Sequence, residues 1–171
     1  MYYYEKYFNF LRCTIFLAEC ATTSLGVKRT PIPEKLDNIK QGEGIIVFGA
    51  DASIGIDRVE VSAEGKNHNL FFSDGFILSA MTEGTYEIKK VFFSSYRYFE
   101  TSGSAWSFKV EKGKINYVGH IRIKSLKHQQ FLLDITNRAS FFYEYMEHHH
   151  SELTTRYPII YSNLFSDNFL I

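Results

Sequence analysis

From Trp106 to Lys124 polar and apolar side chains alternate, and this limits the chain to strands more tightly than any other feature of the sequence. Trp106, Phe108 and Val110 fall on one side, Ser107, Lys109 and Glu111 on the other. Past a Gly-containing turn at 111–114 the pattern resumes. Ile115, Tyr117, Ile121 and Ile123 share a face with Gly119, and Asn116, His120, Arg122 and Lys124 take the opposite one. Period two on both sides of a short Gly turn predicts an antiparallel hairpin with one buried face. A third strand is predicted over 84–93. There Tyr86 and Ile88 share a face, but the apolar set slips by one residue to Val91 and Phe93. A slip of that kind requires a bulge, expected near Lys89 and Lys90.

Upstream, Ile45-Ile46-Val47-Phe48 is a short apolar run bounded by Gly44 and Gly49, the pattern of a strand buried on both faces. Residues 54–63 predict another strand, with a parity slip between Ile56 and Val59. Residues 67–73 and 76–81 predict two more, joined by a hairpin-type turn around Ser73-Asp74-Gly75. With a last strand at 129–133 the count is about eight, and short strands at this spacing define a mainly β fold, an antiparallel β-sandwich of seven to eight strands. An apolar content of 45%, with aromatic residues making up 17% of the chain, supplies a core and argues against a disordered chain.

The period changes near the end. Ile135, Ala139, Phe142, Met146, His149, Leu153 and Tyr157 follow steps of three and four, one face of an amphipathic helix over 135–158. Asp134 or Thr136 can cap its start and Pro158 stops it. At that length it would run roughly 35 Å and cross one side of the sandwich. The tail, 159–171, is apolar enough to dock or to form an edge strand.

Charge and cysteine usage narrow the function. The 19 basic and 19 acidic residues cancel, which removes the electrostatic reason to expect a nucleic-acid partner. No run reaches the roughly 18 apolar residues of a membrane-spanning helix. The two cysteines, Cys13 and Cys20, form no Cys-x-x-Cys pair. The first twenty residues carry Lys6 and Arg12 ahead of a short apolar run from Cys13 to Ala18, the layout of a secretory signal. The stretch Leu17-Ala18-Glu19-Cys20-Ala21-Thr22-Thr23-Ser24 resembles the lipobox of bacterial lipoproteins, although Glu19 stands where that family carries Gly, Ala or Ser. The resemblance implies a signal over 1–19 and a diacylglycerol on the Cys20 sulfur. The other reading of this stretch is an aromatic N-terminal strand or helix with two buried cysteines. The polar stretch 20–43, whose Pro31 and Pro33 favour extended backbone, reads as a tether or as an ordered lead-in lying along the sheet.

Candidate sites are few. The run His148-His149-His150 points its side chains about 100° apart on a helix, so the three cannot converge on one metal ion. Glu144 with His148, and His148 with Glu152, have i, i+4 spacing but no full ligand set, so no metal and no cofactor is expected. The histidines read as a solvated run, with His149 leaning on the apolar stripe. His120, Arg122 and Lys124 form a basic stripe that suits an anionic partner or simply a solvated sheet face. Tyr96, Tyr98 and Phe99, within the aromatic segment 92–99, together with Trp106, suit stacking on a sugar or peptide. Asp51, Asp57, Glu60 and Asp74 lack calcium-loop spacing, and no serine sits in a nucleophile elbow. No catalytic residues are assigned, and the protein is not expected to be an enzyme.

The segments Glu83–Ile88, Phe108-Lys109-Val110 and Gly113–Gly119, with Arg156-Tyr157-Pro158 closing the helix, make the sandwich over 44–134 similar to the carboxypeptidase-regulatory-like or transthyretin-like domains of small bacterial lipoproteins. That likeness implies a membrane-tethered protein of the bacterial cell envelope, at the outer membrane facing the periplasm, whose domain binds or scaffolds an envelope protein or glycan. The alternative is an unlipidated module that holds a carbohydrate or peptide on the aromatic segment.

Overall fold

The computed structural model describes residues 36, 39–126 and 130–163. Its strands are β1 (Glu43–Ala52), β2 (Arg58–Ala63), β3 (Lys66–Phe71), β4 (Phe76–Thr82), β5 (Gly84–Phe92), β6 (Tyr98–Glu100), β7 (Ser107–Val110), β8 (Ile115–Ser125), β9 (Phe131–Thr136) and β10 (Ile159–Tyr161). A 3-10 turn, Ser104–Trp106, precedes β7, and two helices, α1 (Ala139–His149) and α2 (Ser151–Arg156), precede β10. The strands make a sandwich of two sheets. One has the order β4-β1-β8, with β10 and β9 sharing the far edge of β8; the other runs β3-β2-β5, with β7 and β6 sharing the far edge of β5.

The first sheet is walled on both sides. Ile46, Phe48, Ile77, Val118, Ile121 and Ile123 meet Val59, Val61, Ile88, Val91, Phe108 and Val110 in the core between the sheets. On the opposite face Ile45, Val47, Leu78, Ile115 and Tyr117 pack under Phe142, Met146 and Leu153 of the helices. The run Ile45–Phe48 is therefore buried on both faces, as its unbroken apolar character requires. Leu36 and Ile39 join the helix-side core, so the packed unit begins earlier than the expected start at Gly44.

The expected bulge is present. Glu60 pairs with Lys90 and Val61 with Ile88, leaving Lys89 as the extra residue. The expected β7–β8 hairpin is not formed. β7 pairs with β5 in one sheet, while β8 runs parallel to β1 in the other, so the turn at 111–114 is a corner between sheets. Asn116 holds that corner: its carboxamide accepts from the Glu111 N–H and donates to the carbonyls of Ile45, Glu111 and Lys114. Asp74 and Gly75, both at positive φ, make the expected tight turn, but β3 and β4 leave it for different sheets.

β8 also changes face midway. Val118 is skipped in its register with β1, and Gly119 takes φ 127°. Ile115 and Tyr117 consequently face the helices while Ile121 and Ile123 face the inter-sheet core, so the four do not share a side as expected. An added Cβ on Gly119 would stand 2.6 Å from Ile135 Cγ2, so glycine alone fits there.

The helix starts at Ala139 rather than at Ile135, because Ile135 and Thr136 are claimed by β9, paired with Ile121 and His120. It breaks at His150, which lies off helical geometry at φ −144° and ψ 38°. Phe142, Met146 and Leu153 are the buried residues of the predicted stripe, and His149 is exposed. Pro158 is followed at once by β10, an edge strand parallel to β8. The expected signal at 1–19, Cys20, the tail beyond Asn163 and the start of the strand expected at 129–133 lie outside the described residues.

Candidate functional site

The aromatic residues singled out in the sequence do not form one platform. Strand alternation in β6 sends Tyr98 and Phe99 opposite ways. Tyr98 lies on the outer sheet face against Phe92 (5.1 Å between ring centres) with Lys90 Nζ 4.9 Å over its ring. Phe99 turns inward to Phe93 (5.1 Å) and Phe131 (5.5 Å). Tyr96, at the tip of the β5–β6 loop, is 92% exposed. Trp106 is half-buried against the edge of the inter-sheet core.

The basic stripe is likewise divided. His120 is buried beneath α1, where burial and the nearby Arg138 charge push its pKa down to about 4. Its Nδ1 lies 2.7 Å from Tyr117 Oη, which accepts the Arg138 backbone N–H at 2.9 Å. A phenol oxygen that accepts from Arg138 offers its own proton to Nδ1, which leaves the imidazole proton on Nε2. Burial holds the Tyr117 phenol protonated, pushed up to about 12. Arg138 in turn reaches Asp51 at 2.8 Å. Arg122 is paired with both carboxylate oxygens of Asp134, and Lys124 is exposed. Charges on this face alternate in sign, so it is not a basic surface.

His148 and His149 are exposed. His150 is partly buried, 3.3 Å from Tyr145 Oη and 3.9 Å from Glu152, and burial lowers its pKa. Among the described residues no three His, Cys, Asp or Glu side chains gather as a metal site.

A different place draws residues together. β9 ends opposite His120 and β10 ends opposite Tyr117, so among the described residues the edge of β8 has a gap between them, at its bulge. Beside the gap is a cleft of about 390 Å³ lined by Trp106, Arg122, Leu133, Asp134, Ile135, Thr136, Tyr161 and Asn163. Its lining is mixed: Leu133 and Ile135 give aliphatic surface, Trp106 and Tyr161 aromatic surface, and one wall carries the Arg122–Asp134 ion pair.

The edge of β9 opens onto this cleft. The Leu126 N–H donates to the Gln130 carbonyl at 2.8 Å, which fixes the alternation of the β8–β9 ladder. Lys124/Leu132, Arg122/Asp134 and His120/Thr136 are then the bonded pairs, and Phe131, Leu133 and Ile135 aim their N–H and C=O groups away from β8. No other strand pairs with β9 among the described residues. Other edges are guarded in part. β3 presents Lys66, Asn67, His68 and Asn69; β4, uncharged, exchanges backbone bonds with Ser73 only at its first residue, Phe76; Lys109 of β7 donates to the Ser162 carbonyl. Charge on an edge strand is a common guard against unwanted pairing, and β9 carries a single charge, Asp134, already neutralised by Arg122.

Of the residues expected at a site, Trp106 and Arg122 meet here, while Tyr96, Tyr98, Phe99, His120 and Lys124 do not line the cleft. The sequence carried one clue to β9: Phe131-Leu132-Leu133 is apolar on both faces, more than a strand with one solvated face needs. No protein-family model, curated protein or solved structure matches the chain.

Proposed function

We propose that this protein is a non-catalytic interaction module that takes up an extended partner segment as an added strand on β9. The observation that carries this reading is the outward row of backbone groups at Phe131, Leu133 and Ile135, opening onto the Trp106 cleft. Added strands bind through main-chain hydrogen bonds, and pockets for alternate side chains give selectivity. Here one set of partner side chains would enter between Ile135 and Trp106, and the other would lie over the Arg122–Asp134 pair. Each backbone bond contributes about 1 kcal/mol net, so side-chain contacts with Trp106, Leu133 and Ile135 in the cleft must supply much of the affinity. The test is amide chemical-shift mapping with a short peptide of alternating valine and threonine. Shifts at Leu133 and Ile135, weakened by Leu133→Pro, are expected. Shifts centred on Tyr96 and Tyr98 instead would return the binding site to the aromatic segment.

A second proposal rests on the lipobox-like stretch around Cys20: the module is tethered by lipid to the bacterial cell envelope, at the outer membrane facing the periplasm. A stable tether needs two or more acyl chains, as a diacylglycerol with an N-acyl group provides. Intact mass after bacterial expression decides this. Loss of residues 1–19 with an acyl-sized gain, abolished by Cys20→Ala, is expected, and an unprocessed chain with a free thiol overturns it.

A further inference from the structure

We infer that the strand taken up by β9 is the β9 of a second copy, so that the protein is a symmetric dimer joined edge to edge; this rests on the strand-addition reading above. Antiparallel pairing about a two-fold axis through Leu133 uses the three outward residues and no others. Leu133 meets its own equivalent, and Phe131 stands opposite Ile135 of the second copy. The two ends of β9 are complementary. At one end Phe131 protrudes, 43% exposed despite touching Phe99. At the other lies the cleft between Ile135 and Trp106. Under the two-fold, each Phe131 enters the cleft of the other copy, and both ends are filled at once. On the opposite face Leu132, 40% exposed, comes to lie against Asp134 and its Arg122 partner in the other copy.

The electrostatics permit self-pairing. The chain has 19 basic and 19 acidic residues, so two copies do not repel through net charge. Within the strand the single carboxylate, Asp134, is neutralised by Arg122 of its own copy, and in this register it faces Leu132 rather than a second aspartate. An edge with unguarded backbone, a protruding aromatic and a matching cleft fits a second copy better than a charged or strongly polar partner.

Sedimentation velocity on the full chain at micromolar concentration tests this. Twice the chain mass is expected. Phe131→Lys, at a half-exposed site, is expected to raise the dimer dissociation constant by about tenfold or more. Leu133→Pro removes one outward N–H while leaving the β8–β9 ladder its bonds, as proline on an edge strand can, and is expected to do the same. Tyr96→Ser, at an exposed loop tip that does not line the cleft, should leave the dimer intact. Trp106 is the only tryptophan, so its emission should shift to the blue on dimerisation in step with the mass. A dimer indifferent to both β9 substitutions overturns the inference. So does a monomer, and a peptide titration then separates the two readings. A monomer whose Leu133 and Ile135 amides respond to the valine–threonine peptide sinks the second copy alone, whereas a monomer silent to the peptide sinks strand addition as well.

Discussion

His120 shows how one residue ties the helices to the sheet. Its ring lies edge-on to Phe76 (5.3 Å), which stacks on Tyr145 of α1 (3.8 Å), and Tyr117 bonded to it stacks on Phe142 (4.3 Å). The imidazole is neutral in the fold, its pKa lowered to about 4 from the ordinary 6.5. The unfolded chain therefore binds the proton first as pH falls. Stability from this group is complete above the unfolded value, is lost between about 6.5 and 4, and is flat below, with a total on the order of 3 kcal/mol. Urea denaturation across that window should show the decline, and His120→Gln, which cannot titrate, should flatten it at the expense of a lower plateau. A wild-type midpoint independent of pH over the window would contradict the buried neutral ring. The neighbour across the ladder is equally constrained. A Cβ on Gly49 would stand 2.2 Å from His120 Nε2, whereas one on Gly55 meets nothing within 4 Å. Gly49→Ala should cost about 2 kcal/mol or more through displacement of the ring, and Gly55→Ala close to nothing, in the same denaturation assay. Neither histidine nor glycine announced this in the sequence. His120 alternates with Arg122 and Lys124 as a solvated residue would, and only α1, folding over that face from residues after 138, buries it.

At the scale of elements, local pattern was legible and partnership was not. Alternation placed β5, β7 and β8 within a residue or two and located the Lys89 bulge, because both are properties of one strand and its two faces. Which strands pair depends on where the corners turn, and a corner such as 111–114 has the same Gly-containing sequence as a hairpin loop. What decides it here is Asn116, a polar residue that is fully buried and also receives the Ser162 hydroxyl. Likewise the start of α1 was misplaced because Ile135 fits both periods, and the β8 ladder wins by satisfying its backbone. Asn116→Ala would leave the Glu111 N–H and several carbonyls without their bonds, and a loss of about 2–4 kcal/mol is expected. Hydrogen exchange should locate the effect, with early loss of protection at Glu111. If the stability fell while Glu111 stayed protected, Asn116 would not be what holds the corner.

For the whole molecule, the shared wall is β1. It pairs with β4 on one side and β8 on the other, and its two faces belong to the two cores. The candidate site is a product of this scale, since Trp106, Arg122, residues 133–136 and Tyr161 are far apart in sequence and meet only because β9 and β10 share one edge of β8. The aromatic cluster at 92–99 was the louder signal, yet the same alternation that makes it a strand scatters its rings. The layered construction has a consequence for unfolding. The helices hold to the sheet through Phe142, Met146 and Leu153 and through the Tyr117 bond to the Arg138 N–H, whereas β1 is held by two ladders and the inter-sheet core. Phe142→Ala removes the ring stacked on Tyr117 and should cost about 3–5 kcal/mol. Because the inter-sheet core is untouched, that loss should appear first as opening of the helical layer. Amides of α1 should exchange faster and a hydrophobic dye should bind the uncovered Ile45–Val47 face, while Ile46 and Phe48 stay protected by their ladders. Uniform loss of protection across α1 and β1 would mean instead that the three layers unfold as one unit.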